Sequence, residues 1–254
     1  MSEMKVALQV YTIREHLQDL AGFTDSMAKV AEIGYRYVEL AGVGAAVSIE
    51  DQKKVCDANG LTIVATHTGY DGYRDDLAGV IAKHELLGAS YAGVGGLPGE
   101  LRTGEGYAQA AVEMSGWADK LAEAGLGFVY HNHHLEFQKF DGRPAMDILF
   151  EGSSANLGSE LDVYWVQYGG ASPVAWINKL AGRVPLVHAK DYAIIEREPT
   201  FAEVGEGNLE WPAIIAASEA AGAKYLIVEE DTCTRPSMES IAISFKNLQA
   251  MGLC

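Results

Sequence analysis

The sequence predicts a (β/α)8 barrel spanning residues 1–254 as one domain. Three observations carry that expectation. A weak internal repeat recurs, in which an amphipathic helix ends at a glycine and an apolar run follows after a short gap. Apolar runs and helical patterns alternate along the whole chain, which implies a parallel sheet with right-handed crossovers. The length of 254 residues suits eight such units in one domain. A doubly wound open sheet is the alternative arrangement of the same alternation.

The units run in order. A first strand near 5–11 precedes a helical pattern near 22–33 that stops at Gly34. Strand 2, near 36–40, leads to a helix near 49–58 and Gly60, and strand 3, near 61–66, to a helix near 75–87 and Gly88. Strand 4, near 91–95, is followed by a helix near 105–124 and Gly125. Strands 5 and 6, near 127–132 and 157–163, precede helices near 143–151 and 172–181, the latter ending at Gly182. Strands 7 and 8, near 184–188 and 224–228, precede helices near 210–221, closed by Gly222, and 236–251. Glycine at these stops is the residue that takes a left-handed C-terminal cap without a Cβ clash. The β-branched and aromatic runs read as buried strands. Residues 194–208 read as a long loop after strand 7, of the kind that lines a pocket.

Composition narrows the function classes. The formal net charge of −16 opposes nucleic acid and anionic membrane surfaces, because phosphate binding needs Lys and Arg to displace counterions. No apolar run reaches the ~18 residues of a membrane span, and the N-terminus lacks the pattern of a signal peptide. The cysteines, Cys56, Cys233 and Cys254, are odd in number and widely spaced. They form no CxxC site and suggest free thiols in a cytoplasmic, reducing compartment.

The chemistry concentrates at four strand ends: FVYHNHHLEF (Phe128 to Phe137), ELDVYWV (Glu160 to Val166), PLVHAKD (Pro185 to Asp191) and YLIVEED (Tyr225 to Asp231). Carboxylates and imidazoles do not belong at the end of a buried run unless they are paired or at work. Active-site groups of such barrels sit on the C-terminal strand ends. Asp162, His188 and Glu229 are expected metal ligands, with Glu136 as the fourth. Carboxylates with one imidazole suit Mn²⁺, Mg²⁺ or Co²⁺, and Zn²⁺ is admissible. Asp162 could instead cap the next turn, His188 could be a satisfied core histidine, and Glu136 could serve a helix start.

Side-chain direction alternates along a strand. Glu229 and Glu230 therefore face opposite ways, and Glu229 is expected to point inward. His131 and His133 share a face, and either could be a ligand or a general base. Lys190 shares the face of His188, where it could stabilise an oxyanion or pair with an acid. Tyr11, Glu39 and His67 end strands 1, 2 and 3 and are candidate substrate contacts. The glycines of GVGGLPG (Gly93 to Gly99) do not fit a dinucleotide fingerprint, and no P-loop or GxSxG elbow is present.

The set HNHxxE, ELDVYW, HAKD, VGEGNLEW (Val204 to Trp211) and IVEED resembles the xylose-isomerase-like barrel superfamily. That group includes sugar phosphate isomerases and epimerases, inosose dehydratases, 3-dehydroshikimate dehydratases and endonuclease IV-type repair enzymes. The resemblance covers nearly the whole chain. It implies one divalent metal held by Glu, Asp, His and Glu of strands 5 to 8. Asp162, His188 and Glu229 match that pattern; on strand 5 His131 stands where the epimerases have Glu, with Glu136 five residues later. The resemblance implies a sugar or polyol substrate, with isomerisation or epimerisation through proton abstraction next to a carbonyl. Elimination by a dehydratase is the close alternative, because strand 5 is histidine-rich as in inosose dehydratases. A non-catalytic sugar-binding barrel is the rival of another class. A homo-oligomer is compatible with all of these. No arginine or glycine-rich phosphate cradle stands near the strand ends, so an unphosphorylated substrate is expected.

Overall fold

A computed structural model describes residues 4–253; Cys254 lies outside them. Eight parallel strands close into a barrel: β1 (Lys5–Gln9), β2 (Tyr37–Leu40), β3 (Thr62–His67), β4 (Tyr91–Val94), β5 (Gly127–His131), β6 (Leu157–Asp162), β7 (Leu186–Ala189) and β8 (Tyr225–Val228). Each strand pairs with its sequence neighbours, and β1 pairs with β8 to close the ring. The fold is thus the expected (β/α)8 barrel. The surrounding helices are α1 (Leu20–Ile33), α2 (Ile49–Ala58), α3 (Tyr70–Leu87), α4 (Gly104–Glu123), α5 (Ala145–Glu151), α6 (Val163–Tyr168), α7 (Pro173–Lys179), α8 (Trp211–Ala221) and α9 (Ser237–Ala250).

The alternation of strand side chains sorts the core into two parts. Val6, Leu8, Val38, Phe128, Leu161, Val187 and Leu226 belong to the large core shared with the helices. Ala7, Val64, Ala65, Val129, Leu186 and Ile227 form a separate cluster with Tyr37, Tyr91 and Tyr225 packed against it. This second set fills the lower barrel. Two residues further along the same strand faces come Gln9, Glu39, His67, His131, His188 and Glu229, so the polar side chains stand above an apolar floor.

Several local expectations need correction. The first strand stops at Gln9, and Val10–His16 forms a 3-10 turn. Tyr11 therefore sits on that turn rather than on a strand end. The six predicted glycine stops all adopt positive φ, and Gly88 and Gly222 are left-handed caps of α3 and α8. Helix α6 was not expected. Its aromatic sequence VYWVQY reads as a continuation of β6, yet Asp162 caps it by accepting from Trp165 N at 3.0 Å. The segment expected as a loop is partly a β-hairpin, Asp191–Ile195 against Glu198–Ala202. It turns at Glu196 and Arg197, both with positive φ.

Candidate active site

The strand register brings the chemical residues together. His131 pairs with Glu160 across β5 and β6, and Asp162 pairs with His188 across β6 and β7. All four side chains point into the upper barrel, where Glu229 joins them from the residue after β8. Glu230 instead faces outward, and its backbone N–H donates to Thr12 Oγ1 at 3.0 Å.

Two groups of donor atoms result. The upper one is His131, Asp162, His188 and Glu229, with one ligand atom of each within 4.8 Å of the others, all four residues buried. His131 Nε2 lies 3.1 Å from Asp162 Oδ2, and His188 Nδ1 lies 2.8 Å from Glu229 Oε2. The lower group is Glu39, His67, Glu160 and His188. His67 Nε2 is 2.6 Å from Glu160 Oε2 and 3.1 Å from Glu39 Oε1. His188 Nε2 is 2.8 Å from Glu39 Oε2 and 3.4 Å from Glu160 Oε1. His188 belongs to both groups, one ring nitrogen to each.

Lys190 completes the upper group. Its Nζ lies 3.0 Å from Asp162 Oδ2, 2.8 Å from Glu229 Oε2 and 2.8 Å from Asp231 Oδ2. Of the two roles open to Lys190, the ion pair is therefore present. Burial opposes its charge, but the three carboxylates outweigh burial and hold its pKa well above the ordinary value. Burial likewise opposes the charge on His67, and Glu39 and Glu160 overcome it, lifting His67 to about 10. His133 behaves differently: burial, helped by Lys190, pushes it down to about 4, so its imidazole is neutral at pH 7. Burial and then the neighbouring His188 hold His131 well below its usual value, which leaves a lone pair for a ligand.

A cavity of about 480 Å³ opens over this arrangement, lined by Tyr11, His67, His131, His133, Lys190, Glu229 and Asp231 among others. Its wall at β4 is glycine for a steric reason. A Cβ on Gly93 would meet the His67 ring at 2.9 Å, and one on Gly95 would meet it at 3.2 Å. The GVGG run thus makes room for an imidazole rather than a dinucleotide.

The structure separates the sequence candidates. Asp162, His188 and Glu229 converge, and Asp162 also caps α6, one oxygen for each task. His131, His133 and Lys190 reach the cavity, as do Tyr11 and His67. Glu136 does not join them. Its Oε1 accepts from Tyr130 Oη at 2.7 Å, and its Oε2 accepts from the His133 backbone N–H at 2.8 Å. The expected Glu136 position in the donor group is taken by His131. Glu39 is fully buried beneath His67 and His188 and does not line the cavity, which leaves it no direct reach to a substrate. Glu160 and Asp231 were not singled out in the sequence. Each lies two residues from a named acid, Asp162 and Glu229, and strand alternation puts both on the inner face.

The upper donor set fits a divalent cation. Two imidazole nitrogens and two carboxylate oxygens converge without water-exposed competitors, and His131 Nδ1 lacks a hydrogen-bond partner. With His131 in place of Glu136, the set has equal nitrogen and oxygen donors.

A family model described as xylose isomerase-like TIM barrel matches residues 27–250. The chain belongs to that family. Solved structures agree on the fold. One is a sugar phosphate isomerase/epimerase from Parabacteroides distasonis ATCC 8503, with TM-score 0.80, 22% identity, and coverage of 98% of this chain and 95% of that one. Another is the probable 3-DHS dehydratase AsbF of Bacillus anthracis, with TM-score 0.75, 15% identity, and coverage of 97% and 99%. A third is the IOLI protein with a bound zinc atom, with TM-score 0.75, 15% identity, and coverage of 97% of each chain. No protein of curated function matches this sequence. Among the described residues, no helix is long and apolar enough to cross a membrane.

Proposed function

We propose that the protein is a divalent-metal-dependent isomerase or epimerase of a sugar or polyol-derived ketone. The observation that carries this reading is the buried four-donor group at the floor of an open polar cavity. His131, Asp162, His188 and Glu229 would hold the cation. When bound, it supplies a Lewis acid that polarises a carbonyl oxygen next to the reacting carbon. An equal nitrogen and oxygen donor set favours Zn²⁺, Co²⁺ or Mn²⁺ over Mg²⁺, which prefers oxygen.

The chain's own groups supply the proton chemistry. The neutral His133 imidazole lines the cavity and can take the proton from the carbon beside the carbonyl. The Lys190 ammonium points into the same space and can stabilise the oxyanion that develops. Glu229, at the cavity wall between Lys190 and His188, is the second proton-exchanging group. Among the described residues, the only lysine or arginine of the cavity lining is Lys190, itself bound to three carboxylates, which supports an unphosphorylated substrate. Free thiols at Cys56 and Cys233 support a cytoplasmic setting.

A second reading has a specific observation behind it. Exchange from two opposite faces needs Glu229 to act as a base while Lys190 and His188 hold its carboxylate, and Glu136 is tied to Tyr130 and the His133 backbone. With one competent base, expulsion of a β-hydroxyl follows, and the enzyme is a dehydratase of a keto-sugar or keto-inositol. Incubation of the metal-loaded protein with unphosphorylated ketoses and keto-polyols in D2O separates the readings. Exchange of the α-proton is expected, lost on chelation. An epimer or isomer supports the first reading, and loss of water with a conjugated ketone supports the second. No exchange and no product from any of these compounds would leave a sugar-binding barrel without catalysis.

A further inference from the structure

Beneath the donor group, Glu39 and Glu160 do not reach the cavity, and only His67 above them lines it. Glu39 and Glu160 are completely buried. Their four oxygens face only two imidazole N–H groups, those of His67 Nε2 and His188 Nε2. Glu39 Oε1 and Glu160 Oε1 are left without a hydrogen bond. A buried acid lacking full satisfaction is costly, so a simple packing role does not account for this arrangement.

The geometry of His188 does. Its Nε2 stands 2.8 Å from Glu39 Oε2, while its Nδ1 faces the upper group. An imidazole can give a proton at one nitrogen and a lone pair at the other. A carboxylate that accepts from Nε2–H fixes which is which, locks the ring plane and makes the opposite nitrogen a stronger donor. His67 in turn spans both carboxylates, at 3.1 Å from Glu39 and 2.6 Å from Glu160, and so holds Glu39 in its rotamer.

We infer that Glu39, braced by His67 and Glu160, is a positioning residue that fixes the Nε2–H tautomer of His188 and thereby sets the affinity of the upper site for its divalent cation. Glu39 is then neither a substrate contact nor a ligand. The inference rests on the proposed metal dependence above. It also gives a reason for the ELD spacing on β6: Asp162 serves the cation directly, and Glu160, two residues below, serves the brace.

Zinc affinity by chelator competition is measured for wild type, Glu39→Gln, Glu160→Gln and Asp162→Ala, with the thermal midpoint of each metal-free protein. ¹⁵N-histidine spectra of the zinc-loaded forms accompany these. The expected result is one zinc per wild-type chain and Nε2–H at His188. Glu39→Gln should weaken zinc binding about 10–100-fold, and Glu160→Gln should weaken it in the same direction. A purely structural role would lower the metal-free midpoints and leave affinity and the His188 signature unchanged; that outcome overturns the inference while zinc binding and its loss in Asp162→Ala preserve the proposed function. Two zinc ions per chain, the second lost in Glu160→Gln, would also overturn it, because the lower group would then be a metal site itself. No zinc uptake by wild type defeats both.

Discussion

Lys190 is the residue on which the electrostatics of the barrel mouth turns. It is completely buried, and its ammonium touches Asp162, Glu229 and Asp231. Removing one partner of a buried ion pair leaves uncompensated charge, at a cost of about 3–5 kcal/mol. Lys190→Met should destabilise the metal-free protein by about that amount in urea unfolding. Added Zn²⁺ or Mn²⁺ should recover part of the loss, since it returns positive charge to the same carboxylates. Equal stability of the two metal-free proteins would contradict this account of the site. The period-2 logic that located Lys190 from His188 holds wherever the chain is a strand. It predicted the inward turn of Glu229 and the shared face of His131 and His133, and it applies equally to Glu160 and Asp231. It carries one to three residues past the strands, to Lys190, Glu229, His133 and Asp231, and fails where the backbone has turned away. Past His131 the chain turns into a 3-10 segment, Leu135–Phe137, so five residues beyond the strand the Glu136 carboxylate no longer shares the inward face. Tyr11 lies beyond the end of β1 for the same reason.

At the scale of elements, the helices that end at glycine were legible because amphipathic period and cap residue agree. The hairpin after β7 was not. Its turn has neither Asn-Gly nor Asp-Gly, and Pro199 sits within its second strand. What organises it is Asp191. One carboxylate oxygen accepts from Tyr192 N and Leu209 N, at 2.7 and 3.1 Å. The other accepts from Gly205 N, Gly207 N and Trp211 Nε1, at 2.9, 3.0 and 2.6 Å. Charged acceptors of this kind contribute about 1.5–3 kcal/mol per bond, though not additively. The VGEGNLEW segment is thus folded around the last residue of HAKD, and a Cβ at Gly207 would strike Asp191 Oδ1 at 2.4 Å. Asp191→Asn turns one acceptor into a donor facing N–H groups. It should cost about 2–4 kcal/mol and speed proteolysis within residues 203–210. Wild-type stability and wild-type cleavage of this variant would show that Asp191 does not hold the segment.

For the whole molecule, the barrel followed from repetition, because each strand–helix unit states the same instruction and errors at single boundaries do not change the topology; the family followed from the motifs at the strand ends. The site was legible in part because a closed parallel barrel delivers all C-terminal strand ends to one mouth. Which β5 side chain lies in the donor group depended on where one strand stops, a matter of one or two residues that pattern does not resolve. The net charge of −16 has a local counterpart, since Asp162, Glu229 and Asp231 gather around Lys190 at that mouth, with Glu39 and Glu160 buried beneath against His67 and His188. The proposed divalent cation would add positive charge beside these carboxylates, with His131 and His188 as its nitrogen donors. The most direct measurement is anomalous diffraction from crystals grown with Mn²⁺ or Zn²⁺. The account predicts a peak within about 2.0–2.3 Å of donor atoms of His131, Asp162, His188 and Glu229, with Glu136 still bound to Tyr130. A mouth without a peak at saturating metal, or a metal held by Glu136 instead of His131, would contradict it.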